Sequence, residues 1–442
     1  MSTKELKREL GKKELLGVAL GQVIGAGIMA LVGYGIAMTG KSVNLAFVLS
    51  AVWVILLSVP WIFISSCVRL RGGEYTQAAV LCGDRFAGFY TMVYVVRNMQ
   101  MAVYSLAFAS YFISLVPGVN AKIVAVVIAT FFFALNIFPT KFMAGVQNIM
   151  VVVLCMAMAA FIVYGMPQIQ PGYWTGPDFM PKGLGGLLSA SALLTFATFG
   201  ANSIFQLSGE CKNPTTDIPF VLIIATMAVA ILYGVIAMVA AGVLPVTEVA
   251  GQNLSKVAEA ILPKPIFLFF IIGGALGALA TSLNATIAWV TKPLIQACED
   301  GWLPKKLAYL HPQYKTPIFL LAIFYVVTVV PILLDVNMDA ITSSVLILMY
   351  ACMVMTSIAT VRIPKLFPDQ WARSPFKCSP AILWFFCILS AIVLFVQIYY
   401  NLPFISTNLR IANAVLLFVA LGYSTYRYNS GAVRMDISYE DD

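Results

Sequence analysis

A chain of 442 residues that is 61% hydrophobic and only 10% charged has too few polar side chains to cover a water-facing surface, where about 25% charged residues is ordinary. Mean hydropathy is +0.91 and long apolar runs recur from end to end, which excludes a soluble domain and a soluble domain with a single anchor. The net charge of +8 does not point to nucleic acid. The basic residues lie in short connections between apolar runs, where they set membrane orientation.

A membrane crossing needs about 20 mostly apolar residues. Twelve are expected, at 14–38, 43–66, 86–116, 121–138, 143–166, 186–208, 219–243, 265–298, 317–334, 339–362, 381–400 and 407–425. The first run has no small-residue cleavage site, so it is expected to be retained. With the N-terminus inside, 20 of the 27 Lys and Arg fall on the inner side, six fall outside and Arg97 lies within a span. Both termini are then cytoplasmic. Eight scattered cysteines with no CxxC pair give no reason to expect metal, redox chemistry or any cofactor.

The first span contains "GQVIGAGIM", with Gly21, Gly25 and Gly27. Each glycine weakens a helix by roughly 1 kcal/mol relative to alanine. Broken helices are tolerated in lipid only against protein or a water-filled cavity, although small residues also serve close helix packing. A break here frees the amides of Ala26, Gly27 and Ile28, which with the positive helix end suit a carboxylate. It also frees the carbonyls of Val23 and Ile24.

In the third span, Arg97 is a deep charge, about 18 Å along the helix from Arg85 at ~1.5 Å per residue. It shares one face with Gln100, Met101 and Tyr104 by i, i+3, i+4, i+7 spacing. Either it reads an anionic or polar substrate side chain or replaces a coupling cation, or it holds carbonyls or a carboxylate for structural reasons. The sixth span, "LLTFATFGANSIFQLSGECKNP", has a second helix-poor cluster at Gly200, Ala201, Asn202 and Ser203. It would free carbonyls near Phe196, Ala197 and Phe199, which suit an ammonium group. Phe199 is a candidate aromatic lid or a packing residue. Glu210, and Glu74 before the third span, are candidate inner-gate carboxylates or ordinary ion-pair partners. In the eighth span Ser282, Asn284, Thr286 and Trp289 are polar, with back-bonding of the hydroxyls as the plain alternative. "GGALGALA" (Gly273–Ala280) is expected to serve helix packing. His311 is expected in a loop, too far from the breaks to relay protons.

Matched breaks five helices apart are the signature of two inverted repeats with a binding site at the membrane midplane. The expected fold is therefore all-α, with a five-plus-five inverted repeat, discontinuous helices 1 and 6 and two extra C-terminal helices. Residues 1–425 would form one transporter domain, with repeats at about 14–166 and 186–362 and helices 11–12 at about 381–425. Residues 426–442 would form a cytoplasmic tail. One site offering donors to an anion and acceptors to a cation matches an α-amino acid.

At these motifs the chain resembles the amino acid–polyamine–organocation permeases. "GQVIGAGI", "RGGEYTQAAVLCG" (Arg71–Gly83), "FATFGANSIFQLSGECKNPTTDIP" (Phe196–Pro219), "TSLNATIAWVTKPLIQACEDGWLP" (Thr281–Pro304) and "YKTP" (Tyr314–Pro317) occur in the family order. The resemblance implies alternating-access transport of amino acids or related amines. It also implies that backbone at Ile24–Gly27 and Phe199–Asn202 binds the α-amino and α-carboxyl groups, and that Thr286 faces the cavity. Two positions depart from the family. Leu154 stands where many relatives carry a lysine, which leaves coupling open and slightly favours exchange or facilitated movement. Asn202 stands where many have an acidic or aromatic residue.

No carboxylate lies near the expected side-chain pocket, so small to medium neutral L-amino acids are the expected substrates. Acidic amino acids or related organic anions, read by Arg97, are the alternative. An enzyme is disfavoured because no Walker loop, HExxH or nucleophile elbow occurs. A channel and a receptor that binds without transporting are the remaining rivals. The lipid bilayer and a small-molecule amino acid are the only partners expected, with no accessory subunit indicated, and a bacterial inner membrane is the expected setting. Gly27→Leu is expected to abolish uptake in a folded protein.

Overall fold

The computed structural model describes residues 10–70, 73–138, 143–314, 316–435 and 439–440, excluding the side chains at 21, 143–149, 151, 206, 207, 209, 210, 439 and 440. A chain this apolar must satisfy its backbone within each segment, and helices do so. In chain order the first elements are α1 (Lys12–Val23), α2 (Ala26–Thr39), α3 (Val43–Leu57), α4 (Val59–Ser65), β1 (Arg69–Leu70), α5 (Gly73–Cys82), α6 (Asp84–Arg97) and α7 (Gln100–Leu115). There follow α8 (Ala121–Leu135), α9 (Met143–Gly165), α10 (Gly183–Thr198), a 3-10 helix (Phe199–Glu210) and α11 (Pro214–Gly242). Short α12 (Val246–Val249) and α13 (Ser255–Ile261) lead to α14 (Lys264–Phe269), a π-helix (Phe270–Leu276), α15 (Gly277–Val290) and α16 (Lys292–Glu299). The chain finishes with α17 (Ile318–Leu333), α18 (Met338–Ala359), α19 (Ile363–Leu366), α20 (Pro368–Arg373), α21 (Pro380–Asn401), α22 (Thr407–Asn429) and β2 (Tyr439–Glu440).

Among the described residues, seven helical stretches are long and apolar enough to cross a membrane, and three shorter apolar helices accompany them. Large side chains such as Phe385, Ile388, Ile392 and Phe395 of α21, and Val415, Phe418 and Leu421 of α22, are exposed. Exposed apolar area on that scale marks a surface meant for lipid or protein. The centre is occupied by α2, α3, α10 and α11, where Phe47 and Tyr233 meet edge to face at 5.4 Å.

Local chemistry explains several boundaries. Asn120 caps α8 by accepting from the Lys122 amide, and Ser379 and Ser406 cap α21 and α22 in the same way. Proline occupies the first turn of α11 and α16, where its missing N–H costs nothing.

The elements differ from expectation in several places. The third span is interrupted at Asn98–Met99. The eighth contains the π-helical turn over "FIIGGAL". The last helix continues to Asn429, beyond the expected 425. Finally, the fold is not purely helical, because Arg69–Leu70 pair antiparallel with Tyr439–Glu440.

The glycines of the π segment lie against α9. A Cβ at Gly274 would come within 2.7 Å of the Ala157 Cβ, and one at Gly273 within 2.7 Å of Val153. This is close helix packing through small residues, as expected for "GGALGALA". His311 lies in a loop, stacked on Tyr314 at 4.8 Å.

Candidate functional site

The first helix is broken. α1 ends at Val23, Ile24 is extended (φ −70°, ψ 107°), and α2 begins at Ala26 after Gly25. The break is thus at Ile24–Gly25, and Ala26, Gly27 and Ile28 are the first residues of the resumed helix. Its opening amides have no intrahelical acceptor, and Gly25 at the N-cap has no side chain to cap them. α2 therefore presents its positive end in the interior of the molecule.

Two of the groups freed by the break are engaged. The Tyr233 hydroxyl of α11 donates to the Val23 carbonyl at 2.6 Å and accepts from the Gly25 amide at 3.1 Å. One buried phenol bridges the two sides of the gap. The Tyr233 hydroxyl thus pairs the Val23 carbonyl and the Gly25 amide, two of the backbone groups expected to face a ligand.

The second expected break is not a break. α10 runs through Thr198 and tightens into a 3-10 helix from Phe199 to Glu210. Tightening preserves hydrogen bonds of poorer geometry, so the carbonyls near Phe196, Ala197 and Phe199 are not set free in an unwound loop. Glycine has another role here. A Cβ on Gly200 would stand 2.8 Å from the Gln22 carbonyl oxygen, and one on Gly27 would stand 2.6 Å from the Ala197 Cβ and closer still to its backbone. The two segments press backbone to backbone on both sides of the gap. A folded Gly27→Leu protein is therefore not expected, because the added side chain would collide with α10.

Ser282 lies beside the break. A Cβ on Gly25 would be 3.1 Å from its Oγ. Ser282, Tyr104, Phe196, Phe199 and Gly200 each keep partial exposure. The Tyr104 and Phe196 rings lie 6.1 Å apart, and Phe199 packs edge-on against Trp61 at 5.6 Å. Ile24, Ala26, Ile28 and Ala201 are buried. Thr286 is buried and donates back to the Ser282 carbonyl at 2.8 Å, the plain hydroxyl alternative. Asn202 accepts from Ser58 at 3.0 Å, while its buried Nδ2 has no hydrogen-bond partner among the described residues. Leu154 is buried. Asn284 accepts from Asn136 at 2.8 Å, a structural tie between α15 and the end of α8.

Arg97 does not stand free. Its guanidinium meets the Glu74 carboxylate at 2.7 Å, and it also donates to the Tyr90 hydroxyl at 3.1 Å. Tyr90 in turn donates to the same carboxylate oxygen at 2.6 Å. The ring of Tyr94 lies 5.0 Å from the guanidinium carbon, within cation–π range. Arg97 thus joins the end of α6 to the start of α5 just before the interruption at Asn98–Met99. Gln100 donates to Asn98 at 3.1 Å. The structural reading of Arg97, a buried cation held by a carboxylate, describes this geometry. Glu74 is its partner, while the side chain of Glu210 lies outside the described residues.

The break in the first helix and the order of elements agree with a match that covers nearly the whole chain. The family model for amino acid permeases spans residues 10–422. The chain is an amino acid permease. It belongs to the amino acid–polyamine–organocation superfamily, and it is a transporter rather than an enzyme. It is 27% identical over 417 residues to the branched-chain amino acid permease BcaP of Bacillus subtilis strain 168, covering 87% of this chain and 88% of the relative. It is 26% identical over 339 residues to the methylthioribose transporter of the same organism, covering 71% and 72%. It is 24% identical over 338 residues to the vacuolar cationic amino acid transporter 4 of Arabidopsis thaliana, covering 71% and 56%.

Sequence reasoning missed the role of Tyr233 in this permease. A signal existed. A tyrosine within the long apolar α11 carries a hydroxyl that must find a partner at bilayer depth. The identity of that partner, a carbonyl more than 200 residues away, could not be read from α11 alone.

Proposed function

We propose that this permease carries small to medium neutral L-amino acids, branched-chain ones included, across a cell membrane by alternating access. The observation that carries the reading is the start of α2 at the Ile24–Gly25 break, with partly exposed Ser282, Tyr104 and Phe196 around it. The amides of Ala26, Gly27 and Ile28 would receive the substrate carboxylate. The amino group would meet the Ile24 carbonyl at the break. The side chain would then lie toward Tyr104, Phe196 and Phe199, among apolar walls. Similarity over most of the chain to a branched-chain amino acid permease supports this substrate class.

The reading for acidic substrates depended on a free Arg97. With Glu74 at 2.7 Å, its charge is already balanced, which supports the neutral-substrate reading over the acidic one. Twelve spans, the five-plus-five inverted repeat within residues 1–425 and cytoplasmic termini complete the proposal. In it, the break lets α1 tilt against α2 while Tyr233 retains the hinge geometry. The absence of a lysine at Leu154 favours exchange or facilitated movement.

Purified protein in liposomes preloaded with leucine or alanine should show saturable counterflow of the labelled amino acid. Conductance that rises linearly with substrate and never saturates would reject a carrier. A thermal-shift screen should show stabilisation by neutral amino acids, since a ligand of the folded state raises stability by mass action. Stabilisation by cationic compounds alone would reject the substrate class.

A further inference from the structure

A groove of about 330 Å³ opens between the first turn of α1, the first turns of α11 and the segment preceding α21. Its walls are mainly apolar, with Phe220 and Ile224 on one side and Phe376 on another. Lys12 stands at its rim. The ammonium lies 4.6 Å from the centroid of the Phe220 ring and 3.5 Å from the Asp217 carboxylate. Asp217 is nearly enclosed, yet half of the lysine side chain (51%) remains exposed. The carboxylate holds the cation in place without covering it. Exposed Lys377 directly follows Phe376, and the positive end of the 29-residue α11 faces the same rim.

The groove continues along the membrane. Phe220, Ile224, Met227 and Ile231 follow at i, i+4, i+7 and i+11 on one face of α11, and each is 43–64% exposed. That stripe is about 17 Å long at ~1.5 Å per residue, close to half of a ~30 Å hydrocarbon core. A cationic rim at the end of a leaflet-long apolar stripe has two chemistries. A free anion would use only the first, and a neutral lipid only the second.

We propose that this groove binds an anionic phospholipid, with its phosphate at Lys12 and an acyl chain along Phe220, Ile224, Met227 and Ile231. Basic pockets between membrane helices take such headgroups. α1 is the segment that precedes the break at Ile24–Gly25, so the lipid would bridge this element to α11. The proposal rests on membrane embedding and is independent of the transported substrate.

The test uses an indole in the groove. Phe220→Trp protein is reconstituted in phosphatidylcholine vesicles containing a small fraction of brominated phosphatidylglycerol or brominated phosphatidylcholine. Quenching is taken as the difference from the parent protein, which carries its own tryptophans. Brominated phosphatidylglycerol should be preferred by about fivefold, corresponding to about 1 kcal/mol for one basic side chain near the surface. Adding Lys12→Gln should bring the ratio close to one while quenching by brominated phosphatidylcholine persists. Equal quenching by the two lipids in Phe220→Trp protein would overturn the proposal, as would a preference that survives Lys12→Gln. If the double variant does not fold, the Phe220→Trp comparison still decides.

Discussion

At the scale of single residues, long-range partners complete the buried polar groups at the break and around Arg97. Tyr233→Phe removes the one hydroxyl that bridges Val23 and Gly25 and leaves a buried carbonyl and amide unpaired, which costs about 1–3 kcal/mol. The protein should remain folded, with a lowered melting temperature, while leucine counterflow falls at least several-fold. Undiminished counterflow would show that the bridge is dispensable. Arg97→Ala leaves Glu74 and Tyr90 without their cation inside the molecule. A broken buried pair costs about 3–5 kcal/mol, so thermal denaturation in detergent should show a strongly destabilised protein. The double variant Arg97→Gln with Glu74→Gln should recover much of that loss, because neither charge is then left alone. If Arg97→Ala is instead as stable as the parent and changes only the substrate range, Arg97 reads the substrate. Arg97 shows what was legible. Its depth and expense followed from the sequence, but its carboxylate lies 23 residues away at the start of another helix.

At the scale of elements, the two glycine clusters look alike in sequence and fold differently. In the first, the helix stops for two residues and restarts. In the sixth, it narrows to 3-10 winding, and Gly200 instead lets the backbone of α1 approach. Composition marks both places as weak helix, but weakness does not choose between a gap, a tighter winding and a close crossing. The neighbouring backbone makes that choice. Gly200→Ala should therefore reduce the yield of folded protein, since its new methyl group would meet the Gln22 carbonyl, and fluorescence-detected size exclusion would register the loss. Ala at Gly183, where nothing lies within 4 Å but φ is +59°, should cost only the left-handed backbone strain, about 1 kcal/mol. The π-helical glycines behave as their spacing suggested, because contact between helices needs only small side chains on one face. Gly274→Leu should separate α9 from the π segment and lower the melting temperature. An unchanged value would deny that packing.

At the scale of the whole molecule, the pattern of apolar runs established a multi-span membrane protein, since lipid admits few alternatives to helices. It also located the break in the first span, because glycines at bilayer depth are costly unless the backbone is used. The motif order led to the amino acid permease family. The tertiary structure alone decided which freed groups remain open. Tyr233 takes two of them, and Glu74 takes the charge of Arg97. Ser58 meets Asn202, and the Ser282 carbonyl holds Thr286. All these partners except Ser282 come from other helices. The physical reason is range. Helix formation and hydropathy are summed over neighbours along the chain, whereas a buried donor is satisfied by whatever atom folding brings within about 3 Å. That atom has no fixed distance in sequence.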